Sequence, residues 1–505
     1  MEYDIIVVGG GLGGLTAGAL LAQSGKRVFL VEQQMNVGGC ARIFSRKEYT
    51  FDAGLHELDG LDELDLKKEV FQKLGVFNSV EFIKLPEFYR FIHGKTDIVI
   101  PNGREKAMKV LLKRFPHESD GITKYFDVLK RIRKEIYDFP CERWKSYVVF
   151  PLMPFIFPNL FRYGKKTAGS FIDSIIKDDE LKLILFANHS FYHDNPYELS
   201  LLFYAAVQDS YYSGSYYIKG GSQVLSNYLA RIITENGGQV LLGHTVREII
   251  VRHNEVRGIK YVDSENLTGR LEEIYAKVVV ANAAIPNVIN ELTHRVKTSK
   301  LKKVRNRINK LKASPSMLSI YLCLKRPLKS IGNKHYITFV YDKDITKPCS
   351  IKNVDYAQRG YVFVDYSQID SGLVANNRGV GVISIIDYLS NWEYLTDNEY
   401  TEKKKELAKI FINRLEGVLP GIKKEIEYYD VSTPQTIKHF TKNPCGSIYG
   451  YSQIPAQAGL KRMDINMPIK NLFFASAWSF PGGGFTGTII GGSLCANKVL
   501  RALKE

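Results

Sequence analysis

Cysteine is scarce in this chain, six in 505 residues, and no two form a C-x-x-C pair. Cys40, Cys141, Cys323, Cys349, Cys445 and Cys495 lie far apart. That spacing argues against a disulfide framework and a zinc site, so no metal is expected, and it suits a reducing compartment. Internal repeats, low-complexity segments and Gly/Ser linkers are also missing, which favours domains woven together over domains tethered in series. Two uncharged stretches, Ile5 to Gly25 and Leu472 to Ala496, look long enough to span a bilayer. The first follows Glu2 and Asp4, where a signal peptide would carry positive charge, and it changes from strand-like IIVV to a glycine-punctuated helix. The second contains Pro481 and several glycines that would break a spanning helix. We therefore expect neither a transmembrane segment nor a targeting peptide. Acidic residues are outnumbered, 53 against 69 Lys and Arg, for a net charge of +16. The basic residues are scattered, with local groups at Lys165-Lys166 and at 300–307 (KLKKVRNR), and no nucleic-acid motif accompanies them. An anionic membrane surface or general solubility explains such a charge better than nucleic acid.

What is present is a globular composition, 45% hydrophobic and 24% charged. The length exceeds one ordinary core and predicts two interleaved domains. The chain opens as strand (Tyr3 to Val8), glycine turn, helix (Gly13 to Gln23) and strand (Arg27 to Val31). Residues Leu66 to about Ser213 read as mostly helical, with a hairpin at Phe88 to Ile100. A helix over Ser222 to Glu235 precedes short strands at Gln239 to Leu242, Val246 to Val251, Val256 to Val262 and Tyr275 to Val280. A sheet is expected over Met317 to Asp430, interrupted by a helix at Glu399 to Glu416. The last unit is a strand (Leu472 to Ala475), a glycine stretch and a helix from about Thr486 to Lys504.

The strongest chemical signal is Gly9-x-Gly11-x-x-Gly14 between strand and helix, with Gly13 inside it and Glu32 at the end of the next strand. Gly9 allows the tight turn, Gly11 lets backbone approach a pyrophosphate, and Gly14 lets the helix pack on the strand. The helix N-terminus presents free N–H groups to phosphate, and Glu32 can accept hydrogen bonds from ribose hydroxyls. Gly38-Gly39 and Arg42 follow. This Glu-x5-Gly-Gly extension resembles the dinucleotide motif of glutathione-reductase-like FAD enzymes.

Further blocks carry a more specific resemblance. FSRKEYTFDAGLHELDG (Phe44 to Gly60), with Gly54 and His56, looks like the flavin-approaching loop of the phytoene desaturase, carotenoid cis–trans isomerase and all-trans-retinol saturase family. YYIKGGSQVLSNYLARIITENGGQVLLGHTVREII (Tyr216 to Ile250) resembles that family's second dinucleotide block, in which a valine matching Val246 contacts adenine. VVVANAA (Val278 to Ala284, including Ala283) resembles the strand returning to the cofactor, and TPQTIKHFTKNPCGSIYGY (Thr433 to Tyr451) a block before the last unit. NLFFASAWSFPGGGFTGTIIGG, with Ala477, Gly483, Gly484, Phe485 and Thr486, resembles the C-terminal flavin signature. VGGC…FDAGLH is closest to the saturase and isomerase branch.

The resemblance implies an α/β fold: a glutathione-reductase-like Rossmann FAD domain built from discontinuous segments, with an inserted α+β substrate domain. The expected boundaries are 1–65, 215–300 and 441–505 for the FAD domain, and 66–214 and 301–440 for the substrate domain. It implies non-covalent FAD, an apolar polyene or isoprenoid substrate, and hydride exchange at flavin N5, giving saturation or isomerisation in preference to desaturation. Amine oxidases, protoporphyrinogen oxidases and the non-enzymatic Rab GDP-dissociation inhibitors share the fold and stand as alternatives. His56, placed by the resemblance near the flavin, is the candidate catalytic residue, able to donate to the flavin or protonate a carbon. Glu57 and Asp59 read as solvated or structural, and Asn188-His189 and His193-Asp194 as helix-end polar groups. Tyr211, Tyr212, Tyr216 and Tyr217 suit pocket lining and core packing equally. Ser146 to Phe161 (SYVVFPLMPFIFPNLF), flanked by Arg143, Lys145, Arg162, Lys165 and Lys166, suits a segment dipping into an anionic membrane or a buried lid. The expected location is cytoplasmic with peripheral membrane association. No second complete nucleotide fingerprint is present, so the redox partner is left open.

Overall fold

The computed structural model describes residues 3–140, 150–342, 344–374 and 377–504. Short apolar runs, three of them β-branched and bounded by glycine or polar residues, form one parallel sheet. Its strands are β1 (Ile5–Val8), β2 (Val28–Val31), β3 (Gln239–Leu241), β4 (Val278–Ala281) and β5 (Leu472–Phe474), in the order β3-β2-β1-β4-β5. Every residue of β1, β2 and β4 is buried, because both faces are covered. Alternate side chains Ile5, Val7, Val28, Leu30, Val278 and Val280 join a core shared with the helices α1 (Leu12–Gln23), α2 (Ser222–Glu235) and α3 (Gly484–Ala502). Their neighbours Ile6, Val8, Phe29, Val31 and Val279 pack instead against an antiparallel meander of His244–Arg252, Glu255–Asp263 and Glu272–Tyr275. The continuous strand expected at Tyr275 to Val280 is therefore two strands in different sheets. Lys277 breaks it, its N–H turning back to the Asp4 carbonyl at 3.1 Å.

A seven-stranded sheet forms the second layer. Its order is Ile426–Ser432, Ser316–Leu324, Gly379–Asp387, Tyr361–Asp365, Ile337–Tyr341, Tyr89–His93, Thr96–Ile100. All neighbours are antiparallel except Ile337–Tyr341 beside Tyr89–His93. The hairpin from the mostly helical region thus completes a sheet whose other strands lie more than two hundred residues later. In Ser316–Leu324 the period-two rule divides the side chains. Leu318, Ile320, Leu322 and Leu324 face the helix Asp397–Val418, while Met317, Ser319 and Tyr321 face a cavity. That helix starts on a capping box of Thr396 and Glu399. Two further helices, Ser119–Asp138 and Leu201–Ser213, pack together over the opposite side of the cavity.

Candidate functional site

One cavity of about 2860 Å3 runs from the carboxyl ends of β1 and β2 to the helical layer. At its first end the backbone does the shaping. Gly9 has φ +98°, a left-handed conformation that only glycine adopts readily. A Cβ there would lie 2.6 Å from the Asn282 carbonyl oxygen, and one at Gly11 2.7 Å from the Asn282 side-chain nitrogen. Asn282 follows β4 directly and donates its own amide to the Gly9 carbonyl at 3.2 Å. The sequence reading passed over this residue, whose role appears only once β4 lies beside β1. Its signal was the polar residue standing alone in VVVANAA.

Gly9, Gly11, Glu32, Gly38, Gly39, Arg42, Gly54, Val246 and Ala283 all line the cavity. Gly13 and Gly14 do not. A Cβ on Gly13 would sit 2.1 Å from the Ala475 carbonyl oxygen, and one on Gly14 2.4 Å from the Gly9 carbonyl oxygen. These two glycines let α1 approach the sheet rather than line the space. Glu32 is buried, with one carboxyl oxygen accepting from Gly10 N–H at 2.6 Å and the other from Gln34 N–H at 2.8 Å. Burial raises its pKa, and those two N–H groups and Arg42 pull it back. The Arg42 guanidinium lies 5.0 Å from the Phe440 ring centroid.

The FDAGLH turn is held by Asp52, which is fully buried. It accepts from Leu55 N–H (3.0 Å), Ser222 N–H (2.7 Å) and the Ser222 hydroxyl (2.9 Å). Two segments far apart in sequence are thus locked together at the N-terminus of α2. On the opposite wall Ala477, Gly483, Gly484, Phe485 and Thr486 all face the cavity at the start of α3. Gly484, at φ +81°, has nothing within 4 Å of a Cβ position. Along this wall Arg462 is 4% exposed and, among the described residues, has no carboxylate partner. It donates to the carbonyls of Ala477 (2.7 Å), Tyr451 (3.0 Å), Ser479 (3.0 Å) and Tyr449 (3.3 Å). Burial brings its pKa down to about 10, which leaves it cationic at neutral pH. Left unassigned from sequence, it staples the Thr433 to Tyr451 block to the glycine-rich one.

At the second end the walls are side chains. His56 lies between Tyr366 and Ser384, with Nδ1 3.1 Å from the Tyr366 hydroxyl and Nε2 3.0 Å from the Ser384 hydroxyl. Tyr366 donates to the Leu55 carbonyl at 2.8 Å, so it accepts from Nδ1–H, and Nε2 accepts from Ser384. Burial lowers the His56 pKa to about 4. It faces the cavity as a neutral ring with both nitrogens engaged. Glu57 and Asp59, expected to be solvated or structural, are 6% and 5% exposed and line the cavity. The two-residue strand Leu58–Asp59 pairs with Ser215 and Tyr216 and draws both acids inside. The Thr486 hydroxyl donates to Asp59 at 2.6 Å. Tyr211 lines the cavity, whereas Tyr212 and Tyr217 are core. Asn188 and His189 stand at the start of the short turn His189–Phe191, as expected of helix-end groups, and His189 and His193 are buried. His193 Nε2 meets the Ser452 hydroxyl at 2.7 Å while Nδ1 accepts from Asn195 N–H, a bond that ties the helical layer to the C-terminal block. Beyond Glu57 the lining is mostly apolar, with Leu66, Ile136, Phe191, Phe203 and Val207 interrupted by Asp65, Arg133 and Ser210, and it reaches Met153, Leu160 and the exposed Phe161.

Residues 12–500 match the family of flavin containing amine oxidoreductases. The chain belongs to that family. It is 28% identical to the chloroplastic prolycopene isomerase of Arabidopsis thaliana over 98% of this chain and 82% of that one. It is 25% identical to the all-trans-retinol 13,14-reductase of Danio rerio over 99% of this chain and 86% of that one. The solved structure of cyclohexylamine oxidase from Brevibacterium oxydans superposes with a TM-score of 0.65 at 15% identity, covering all of both chains. The fold is that of the FAD/NAD(P)-binding oxidoreductases, and family membership supports FAD-dependent oxidoreductase activity. The residues present fit FAD. Glycine backbone leaves room for a pyrophosphate, the Glu32 carboxylate lines the same space, and the open space at Gly484 lies before the N-terminal N–H groups of α3.

Proposed function

We propose that this chain is an FAD-dependent enzyme acting on carbon–carbon double bonds of a long apolar polyene or isoprenoid, by saturation or cis–trans isomerisation. The observation that carries this reading is the continuity of the cavity. A glycine-lined dinucleotide cradle opens without a break into an apolar branch that ends at the surface. We read the cradle as the glutathione-reductase-like variant, with FAD held non-covalently by Gly9, Gly11, Glu32, Gly38, Gly39, Val246, Ala283 and the Ala477 to Thr486 wall. When bound, the flavin supplies hydride exchange at N5. The protein holds the substrate in the apolar branch, keeps water out, and sets the positive end of α3 where negative charge on a reduced ring would be stabilised.

The mouth of the branch supports uptake from a membrane. Phe155 is 83% exposed, and Leu152, Ile156 and Phe161 are exposed beside it, an unusual group for a protein surface. Arg162, Lys165 and Lys166 flank them, and Phe161 and Lys165 also line the cavity. Arg143, Lys145 and residues 146–149 of the same segment lie outside the described residues. Among the described residues no helix is long and apolar enough to cross a membrane. We take the patch as a peripheral contact with an anionic leaflet on the cytoplasmic side.

The test is anaerobic flavin absorbance with phytoene, lycopene isomers and retinol supplied in liposomes. Reoxidation of reduced enzyme by a substrate marks saturation, and a changed isomer with the flavin still reduced marks isomerisation. Bleaching of oxidised enzyme by a polyene would make it a desaturase. Silence toward every polyene, with bleaching by amines or porphyrinogens, would overturn the reading in favour of an amine or protoporphyrinogen oxidase.

A further inference from the structure

Glu57 stands where the dinucleotide cradle meets the apolar branch. Among the described residues, neither of its buried carboxyl oxygens has a hydrogen-bond partner and no cation pairs with it. The Ser215 hydroxyl, which pulls the Glu57 pKa down slightly, donates to Asn102 at 3.0 Å. The nearby cations are committed elsewhere. The Lys67 ammonium donates to Asp65 (2.5 Å) and to the Asp59 carbonyl (2.8 Å), and Arg133 forms a fork with Asp62. The closest charge is another carboxylate, Asp59, held by Thr486. An isolated carboxylate in such a place is costly to desolvate, and the group takes up a proton instead. Burial first, and the Asp59 charge second, hold Glu57 well above the usual carboxylate range.

The surrounding groups cannot do the same work. Tyr192, Tyr211 and Tyr336 face Glu57, and burial raises all three phenols well above their ordinary value. His56 is neutral, with its one N–H given to Tyr366. Among the described residues of this wall, Glu57 holds the proton that is both acidic and free to leave.

We propose that Glu57 is the acid that protonates a double bond of the bound polyene, an inference that rests on the substrate class proposed above. The Glu57 O–H bond breaks, and the π pair of one C=C forms a new C–H bond with that proton. The adjacent carbon becomes a cation delocalised along the conjugated chain, and Glu57 becomes a carboxylate. The former double bond, now single, rotates. After rotation the hydrogen that the protonated carbon carried originally, rather than the one just delivered, returns to Glu57 as a proton. The double bond re-forms in its new geometry with one hydrogen exchanged and the electron count unchanged. Repulsion from Asp59 favours that return, because it makes the Glu57 carboxylate a stronger base.

The experiment uses FAD-loaded wild type, Glu57→Gln and Glu57→Asp. Infrared difference spectra of wild type against Glu57→Gln at neutral pH should show a protonated carboxyl C=O band, and its absence overturns the proposal without any substrate. Reduced enzymes are then given cis-lycopene isomers or retinol in liposomes made up in D2O. Wild type should place deuterium at a carbon of the product. Glu57→Gln should bind FAD normally yet turn over at least about 100-fold more slowly, with Glu57→Asp recovering part of the rate. Conversion without deuterium, or Glu57→Gln as fast as wild type, overturns this proposal and leaves the substrate class standing. A wild type inert to every polyene overturns both.

Discussion

The two ends of the cavity are built from different materials. At the cradle, the contacts that set its shape are backbone: Gly9, Gly11, Gly38, Gly39 and Gly484, with Asn282 and Arg462 tying carbonyls beside them. At the other end the contacts are side chains, His56, Glu57, Asp59, Tyr211 and Phe203, brought from the FDAGLH loop and the helix Leu201–Ser213. A backbone site leaves little room for an added atom at positions such as Gly9, Gly11 and Gly38 but is indifferent to most side-chain chemistry. A side-chain site can be retuned one group at a time. A cradle for a constant cofactor suits the first, and a pocket whose chemistry differs among relatives suits the second.

The sharpest way to break that contrast is to add atoms at the backbone end. Gly13→Val puts a Cβ 2.1 Å from a carbonyl oxygen of the strand-end segment, which cannot move aside as a flexible side chain would. We expect destabilisation of about 3 kcal/mol or more and purification without flavin colour. Bound flavin per chain and the thermal midpoint are the measurements, and a yellow Gly13→Val of normal midpoint would refute the close-packing account. Arg462→Gln comes next. It leaves four carbonyls short of a charged donor, and about 3 kcal/mol of stability should go, with FAD retention falling as the Ala477 to Gly482 wall loosens. Arg462→Lys keeps the charge but cannot span four acceptors, so it should recover only part of the midpoint. Glu32→Ala should weaken FAD by about 10- to 100-fold in equilibrium dialysis, through loss of an acceptor for ribose and of the partner for two N–H groups.

The same contrast explains what could be read in advance. GxGxxG, Glu32 and the Gly38-Gly39 pair are local spacings, and in the structure the strand, turn and helix around them stand within a residue or two of their expected bounds. The seven-stranded sheet was visible as separate alternating runs, but not the fact that Tyr89–His93 joins it. That pairing is with Ile337–Tyr341, and no local pattern encodes so distant a neighbour. Of the two readings of Glu57, solvated or structural, burial removes the first, for a similar reason. An acidic pair in HELDG looks solvated until Leu58–Asp59 is seen to pair with Ser215–Tyr216. The role of Asn282 was not legible because its partner, the Gly9 turn, stands 273 residues earlier in the chain although the two strands are neighbours in the sheet.

Adjacent His56 and Glu57 should show opposite pH behaviour in the unliganded protein. His56 has its pKa depressed from 6.5 to about 4, so its stabilising contribution is present above 6.5 and lost as pH falls toward 4. Glu57 is raised, so its contribution is present below the unfolded value of 4.5 and lost as pH rises through the folded one. His56→Asn should flatten the acid limb of urea midpoint against pH, and Glu57→Gln the limb above 4.5. An unchanged neutral limb in Glu57→Gln would mean that water or an unrecognised partner already stabilises the carboxylate.

The smallest effect on the fold is expected at the mouth of the apolar branch. Phe155 and Phe161 are exposed and make little core, so Phe155→Ser with Phe161→Ser should change stability by less than about 0.5 kcal/mol. If the patch enters a bilayer, each ring buried there contributes about 1.5–3 kcal/mol, and the double variant should lose at least about tenfold in liposome cosedimentation. Added salt should weaken wild-type binding to anionic vesicles and leave the residual apolar contribution, since the flanking Arg162, Lys165 and Lys166 act through screened charge. Equal binding by wild type and variant would separate the apolar branch from the membrane. The substrate would then have to be delivered by another carrier, although the cavity would still open at Phe161.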